Sequence, residues 1–367
     1  MANKAIKYRL YPTSEQCVLF AKTFGCCRKV YNLMLADKIA YYQSTGKKLT
    51  NTPAMYKKEY PYLKEADSLA LANEQLHLQS AYNNFFRNKR IGFPKFKSAK
   101  RSRKSYTTNN QNGTISLTEN SIRLPKIGFV KAVLHRRPET DWVLKSATIS
   151  QDSDGKYYAS VLFEYDETVT PMNNPKKVLG IDYKSDGLYK DSEGNSDMGH
   201  KYYRMSQKKL AQAQRKLKHK TIGSNNYKKQ QQKISKIHKH ISNQRLDHLH
   251  KRSAEIANQY DVVCVESLNM RLLSNKGFGN GKATMDNGYG MFLNMLEYKL
   301  RDRGKYFIKV DKWYPSSQIC SRCGKRKKLT LSERIYKCEC GLTIDRDLNA
   351  AINIREEGLR ILKLAIL

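Results

Sequence analysis

Two short apolar runs in this chain each end on an acid: Val178-Leu179-Gly180-Ile181 leads into Asp182, and Val262-Val263-Cys264-Val265 leads into Glu266. Runs this short, apolar throughout and without alternation, read as strands buried on both faces, which requires a sheet covered by helices on each side. The chain between them supplies such helices, with Leu210, Leu217, Ile234, Ile237, Ile241 and Leu249 as apolar positions and a break near Gly223. A third strand is expected over 306–310 and a helix over 345–354. In open α/β sheets, ligand-facing side chains converge at the carboxyl ends of the strands. Acids placed there suit metal-assisted phosphodiester cleavage, in which carboxylates from separate elements hold two Mg²⁺ about 4 Å apart.

A third acid lies in Asp345-Arg346-Asp347-Leu348-Asn349-Ala350-Ala351, where a helix begins. Asp345 suits the N-cap, accepting from free backbone N–H groups. Asp347, two residues on, is then spare to project from the first turn toward a neighbouring strand.

Between the second and third acids, Cys320-x2-Cys323 and Cys338-x-Cys340 form two pairs, each followed by a glycine, Gly324 and Gly341. Four thiolates satisfy tetrahedral Zn²⁺ and leave no open position for water, so the expected site is structural. Cys17, Cys26, Cys27 and Cys264 lie in apolar patterns and read as small core residues.

The N-terminal part reads differently. Ile6 to Leu10 alternates apolar and basic residues as a half-buried strand does. Thr13 with Gln16 fits a capping box, opening a helix that Gly46 stops. A second helix starts near Asp67 or Ser68 and buries Leu71, Leu78, Tyr82 and Phe85. Further short strands are expected at 114–117, 129–134, 143–149 and 157–165. One β-barrel containing the first strand, with a helical lobe inserted, accounts for this order.

Charge narrows the partners. The chain has 68 Lys and Arg against 33 Asp and Glu, a net +35. So basic a chain repels itself unless a polyanion neutralises it, and nucleic acid is the expected one. No apolar run approaches the roughly 20 residues that span a bilayer, and no signal-type h-region opens the sequence. An intracellular chain without membrane contact is therefore expected. Residues 84–104 hold nine Lys or Arg and no acid, interleaved with Phe85, Phe86, Phe93 and Phe96, as phosphate contact combined with base or sugar stacking would require. Residues 208–251 carry thirteen Lys or Arg, opposed only by Asp247, with five His expected on a polar face. The five glycines of 274–290 suit either a lid or an ordinary long loop.

Together these motifs resemble the TnpB family, transposon-encoded RNA-guided DNA endonucleases related to the type V CRISPR nucleases. The resemblance runs nearly end to end. It rests on Lys7-Tyr8-Arg9-Leu10-Tyr11-Pro12 with Phe24-Gly25-Cys26-Cys27-Arg28, Gly92-Phe93-Pro94-Lys95-Phe96-Lys97, Gly180-Ile181-Asp182, Val265-Glu266-Ser267-Leu268, Pro315-Ser316-Ser317 and the Asp345-Arg346-Asp347 motif. It implies a multidomain α+β chain: a β-barrel wedge domain (1–12 and 101–172), an inserted helical recognition lobe (13–100), a RuvC, RNase H-like nuclease domain (173–312 and 344–367) and a zinc ribbon (313–343).

It further implies that Asp182, Glu266 and Asp347 are the catalytic Mg²⁺ ligands and that Cys320, Cys323, Cys338 and Cys340 hold Zn²⁺. The partners would be a guide RNA from the transposon end and double-stranded target DNA beside a short adjacent motif, in a monomer of the prokaryotic cytoplasm or nucleoid. Lys89, Arg90, Lys95, Lys97, Arg101 and Lys104 are expected to contact phosphates. Gln75, Gln79, Thr107, Thr108 and Asn109 are expected near the duplex motif. Tyr289 stands where family members often carry Trp, a change expected to affect packing only. A miniature type V CRISPR effector and a non-cleaving RNA-guided repressor are the alternatives.

Overall fold

The computed structural model describes residues 1–166, 169–275, 281–330 and 332–366. They form two compact units, dividing after residue 167. Part of the glycine-rich stretch that suits either a lid or an ordinary long loop, 276–280, lies outside the described residues.

The first unit opens with β1 (Ala2–Tyr11) and α1 (Ser14–Thr45). The capping box at Thr13 and Gln16 is present, and Gly46 ends α1 in the left-handed region at φ 67°. After two 3-10 turns, Asp67 caps α2 (Ser68–Arg87) by accepting from the N–H groups of Leu69 and Ala70. There follow β2 (Lys104–Asn109), β3 (Ser116–Leu117), β4 (Ser121–Leu124), β5 (Gly128–Val133), β6 (Val143–Gln151) and β7 (Tyr157–Tyr165).

The seven strands make one antiparallel sheet in the order β2-β6-β7-β1-β5-β4-β3. β1 lies between β7 and β5, so the helices interrupt a sheet that the first strand has already joined. The sheet is curled, with β2 and β3 at the two ends of its strand order among the described residues, where a small β-barrel is expected from the sequence. Tyr8, Leu10, Ile149 and Val161 from the sheet share a core with Phe20, Met34 and Leu71 from the helices. β2 and β4 escaped the sequence reading because each is short and half polar.

The second unit contains β8 (Val178–Tyr183), β9 (Tyr189–Asp191), β10 (Ser196–Asp197), α3 (Tyr202–Lys218), α4 (Asn225–Gln259), β11 (Val262–Glu266), α5 (Met270–Leu273), α6 (Gly281–Asn287), α7 (Tyr289–Arg301), β12 (Tyr306–Val310), β13 (Ile335–Lys337), β14 (Thr343–Asp345) and α8 (Arg346–Ile366). Five strands form a mixed sheet in the order β10-β9-β8-β11-β12, with β8, β11 and β12 parallel. Helices cover both faces. Leu179, Ile181, Val263 and Val265 pack on one side with Leu249, Phe292 and Leu296 of α4 and α7. Cys264, Val262 and Val310 pack on the other with Ile354 and Leu362 of α8. α3 and α4 pair around Leu210, Ile237 and Ile241, with Gly223 at φ 87° between them.

His248, expected on a polar face of α4, instead turns to the buried Asp197, 3.1 Å away, where Arg252 also reaches it at 3.1 Å.

Candidate active site

The register of β8 against β11 decides where the first two acids stand. Val265 pairs with Ile181, so Asp182 and Glu266 directly follow paired residues at the carboxyl ends of adjacent parallel strands. Strand neighbours are about 4.8 Å apart. Alternation puts both acids on the same face as Gly180 and Cys264, which is the face that α8 covers.

α8 reaches that face because two glycines permit it. A Cβ on Gly180 would lie 2.1 Å from the Ala351 carbonyl oxygen and 2.8 Å from the Arg355 backbone nitrogen. A Cβ on Gly358 would lie 2.2 Å from the Cys264 sulfur. Close packing at Ala351 sets the helix start, one turn earlier, beside the end of β8 that carries Asp182. Asp345 caps this helix, its Oδ1 accepting the Leu348 N–H at 2.9 Å. That leaves Asp347 half-buried in the first turn, with the Arg346 guanidinium 3.4 Å from its Oδ1.

Asp182 senses the other two acids. Burial, followed by the charges of Glu266 and Asp347, pushes the Asp182 carboxyl well above the usual carboxylate range, against the opposing Tyr183 N–H and Arg346. Burial alone raises Glu266. Carboxylates crowded in this way are unfavourable as anions by themselves and favour a bound cation. The donors are all hard oxygens, the chemistry that suits Mg²⁺. Among the described residues, a set of ligand atoms all within 4.8 Å of one another occurs only at the four cysteines, so the acids are spread more widely than a single-ion cage.

Tyr289 is fully buried, its ring 4.9 Å from that of Tyr183 and 6.1 Å from that of Phe292. It fills the core, and its hydroxyl has no hydrogen-bond partner among the described residues.

The cysteines form a compact centre beside α8. The Sγ atoms of Cys320 and Cys340 are 3.6 Å apart, as are those of Cys323 and Cys338. Tetrahedral zinc with bonds of about 2.3 Å needs sulfur separations of about 3.8 Å, so the four thiols fit the ion. The single residue between Cys338 and Cys340 does not prevent this, because the β13–β14 hairpin turns there, with the Cys338 N–H donating to Leu342 and the Gly341 N–H to Cys338. Burial raises the Cys320 thiol, but backbone N–H groups of Cys323 and Arg322 outweigh it and bring the group down to about 7.

Two asparagines fasten this centre to the acid-bearing helix. Asn349 accepts from the Ser321 N–H at 3.0 Å and donates to the Ile319 carbonyl at 2.7 Å. Asn353 donates to the Ser316 and Ile319 carbonyls, both at 2.7 Å. β14 runs directly into α8. The cysteine centre is therefore tied to the helix that carries Asp347 both through these side chains and through the chain itself. Sequence reading gave these asparagines no role, since their partners lie far upstream; Asn349 following the acidic pair at a helix start was the one available signal.

Three family models match parts of the chain: "Helix-turn-helix domain" over residues 1–47, "Probable transposase" over 160–276 and "Cas12f1-like, TNB domain" over 289–354. Over the first span the structure has a strand followed by one continuous helix. A Streptomyces pristinaespiralis protein named "Putative RNA-guided DNA endonuclease" is 35% identical over 97% of this chain and 89% of its own length. InsQ of Escherichia coli (strain K12), similarly named, is 31% identical over 98% and 93%. TnpB-like protein L79 of Acanthamoeba polyphaga mimivirus is 30% identical over 59% and 44%. The chain belongs to the TnpB family. Its fold is similar to that of the Cas12f1 chain in a complex with sgRNA and target DNA, with a TM-score of 0.61 at 15% identity, covering 96% of this chain and 98% of that one.

Within this TnpB-family chain the expected nucleic-acid contacts separate by environment. Lys89, Arg90, Lys95, Arg101 and Lys104 are exposed, and Gln75 and Gln79 are half-buried on α2. Gln79 donates to Asn83 at 2.8 Å. Thr107 and Asn109 point to the outer side of β2, where Thr107 bonds Thr148 at 2.8 Å. Thr108 points the other way: it is fully buried, and its hydroxyl donates to the Asp67 carboxylate. That corrects its expected place near the duplex, because alternation along a strand sends consecutive side chains to opposite faces. Lys97 is likewise committed within the protein, to the buried Glu74 at 2.5 Å and over the Tyr31 ring at 4.1 Å.

Proposed function

We propose that this protein is an RNA-guided DNA endonuclease whose second unit is a RuvC-type, RNase H-like nuclease domain with an inserted zinc ribbon. The carrying observation is that Asp182 and Glu266 directly follow the paired Ile181 and Val265 at the ends of adjacent parallel strands, with Asp347 brought to the same face by the α8–sheet contact. Its end-to-end relatives bear the names of RNA-guided DNA endonucleases, which supports the same reading. In it, a guide RNA from the transposon end supplies sequence specificity by pairing, and the protein reads a short duplex motif beside the target.

Asp182, Glu266 and Asp347 would hold two Mg²⁺, which supply an activated water and a stabilised leaving oxygen when bound. Around them the protein's own groups set geometry. β8 and β11 fix two carboxylates by backbone pairing, which tolerates little displacement. Asp345 holds the helix start, so that Asp347 keeps its place. Arg346 pairs with Asp347 and offers positive charge toward Asp182. The four-cysteine centre does no chemistry; it braces α8.

The test is to purify the protein with the RNA it carries, sequence that RNA, and present matching double-stranded DNA with randomised flanks and Mg²⁺. Cleavage next to a fixed flank, lost in Asp182→Ala, is the expected result. RNA of no fixed origin, or cutting that ignores the RNA, would overturn the reading.

A further inference from the structure

The end of α2 presents an apolar surface that the fold leaves uncovered. Phe86 is 70% exposed, Phe93 44% and Phe96 57%, three aromatic rings within eleven residues. Their arrangement is fixed. The Tyr82 and Phe86 rings stack at 6.3 Å and 19°. Phe93 stands edge-on to both Tyr82 and Phe85 at 5.5 Å. Gly92, at φ 82°, turns the chain back so that Phe93 meets the helix. Beyond it, the Asn32 amide accepts from the Lys97 N–H at 2.8 Å and donates to the Lys97 carbonyl at 2.9 Å, clamping the segment to α1.

We propose that Phe86 and Phe93, floored by Tyr82 and Phe85, form a stacking platform for unpaired bases of the RNA this protein carries. The proposal rests on the RNA-guided reading above and names the part of the nucleic acid that one surface takes.

Charge selects the occupant. Residues 84–104 offer nine Lys or Arg and no acid, and Arg87, Lys89, Arg90 and Lys95 are exposed around the rings. A second copy of the chain would bring like charges together, whereas a polyanion is attracted. Paired bases show only their edges, so a ring face needs an unpaired base. An apolar patch left open promotes aggregation. A resident RNA covers it throughout, while a DNA strand displaced during cutting would cover it only briefly.

The test uses the full-length chain with single-stranded oligoadenylate and with a blunt RNA duplex of equal length, titrated across a salt series. Phe86→Ala and Phe93→Ala should each weaken oligoadenylate binding about 10-fold or more, with the salt slope and duplex binding unchanged. Phe86→Leu, which keeps apolar bulk without a ring face, should lose most of the same affinity. Lys89→Ala should instead lower the slope by about one counterion. Because the Phe86 ring is mostly exposed, the thermal midpoint of Phe86→Ala should match the unmodified chain, whereas Phe93→Ala also loses its contacts with Tyr82 and Phe85 and is read by affinity measured well below its own midpoint.

Oligoadenylate affinity unchanged in both alanine variants would overturn the platform. So would a loss confined to a displaced DNA strand added to preformed RNA complex, or a dimer that Phe86→Ala converts to monomer. An unmodified chain that binds no RNA overturns the RNA-guided reading itself, which separates that failure from this one.

Discussion

Asp182 and Glu266 each stand one residue beyond the paired Ile181 and Val265, at the end of the β8–β11 ladder. Their backbones are held by pairing with Lys190 and Val310, so the positions from which the two carboxylates project are a property of the sheet. Asp347 depends on a helix resting on Gly180, a less rigid arrangement.

Alanine at Asp182, Glu266 or Asp347 should therefore abolish DNA cutting while leaving RNA binding intact. Asp345→Asn keeps a capping oxygen and should retain cutting, and Asp345→Ala should lower stability by about 1 kcal/mol. Cleavage assays beside denaturant melts separate the two roles; cutting lost in Asp345→Asn and kept in Asp347→Ala would reverse the assignment.

Asp182 also makes a prediction about pH. Its folded pKa is raised above that of the unfolded chain by burial and by Glu266 and Asp347. As pH rises from about 4, the unfolded state loses this proton before the folded state does, so stability falls until the folded pKa is passed. Asp182→Asn removes the effect. With chelator present, this variant should melt above the unmodified protein by roughly 0.5–2 kcal/mol at neutral pH, and the gap should close toward pH 4. A gap independent of pH would show that the carboxyl is not under this strain.

Gly180→Ala tests the helix contact. Its methyl would meet the backbone of Ala351 at 2.1 Å, and backbone cannot rotate aside as a side chain can. A cost of about 1–3 kcal/mol is expected, with cutting lost more completely than stability because Asp347 is displaced. Full cutting in this variant would refute the link between the contact and the site.

Zinc should be present at one ion per chain by elemental analysis. Cys320→Ser should release it, and Asn349→Ala should leave it bound while still reducing cutting, since the first breaks the centre and the second only its tie to α8. A zinc-free chain with full activity would refute both.

On β2 the two faces should respond differently. Thr107→Ala should change the preferred flanking motif in a randomised library. Thr108→Val should leave the motif alone and cost about 1–3 kcal/mol, because the Asp67 carboxylate loses a buried donor. A motif shift in Thr108→Val would contradict the burial.

What the sequence made legible was local. The capping box at Thr13, the stop at Gly46, the cap at Asp345 and the apolar strands 178–183 and 262–266 are each written within a few neighbouring residues. β2 was not legible, since Thr108 reads as polar until Asp67, 41 residues earlier, arrives to bond it. Lys97 read as a phosphate ligand because nothing nearby announces the buried Glu74. Gly180 read as part of a motif, and only the helix laid over it gives the glycine its reason. Residue chemistry fixed which groups could act. Contacts between distant segments decided which were free to do so.

The order of the chain carries one more consequence. The strands holding Asp182 and Glu266 are made well before α8, whose Ile354 and Leu362 cover Val262, Cys264 and Val310. During synthesis one face of that sheet must wait, apolar and open, until the ribbon has emerged and the final helix follows it. A ribosome that stops short of residue 347 thus releases a polypeptide that holds the whole first unit and lacks one of the three acids.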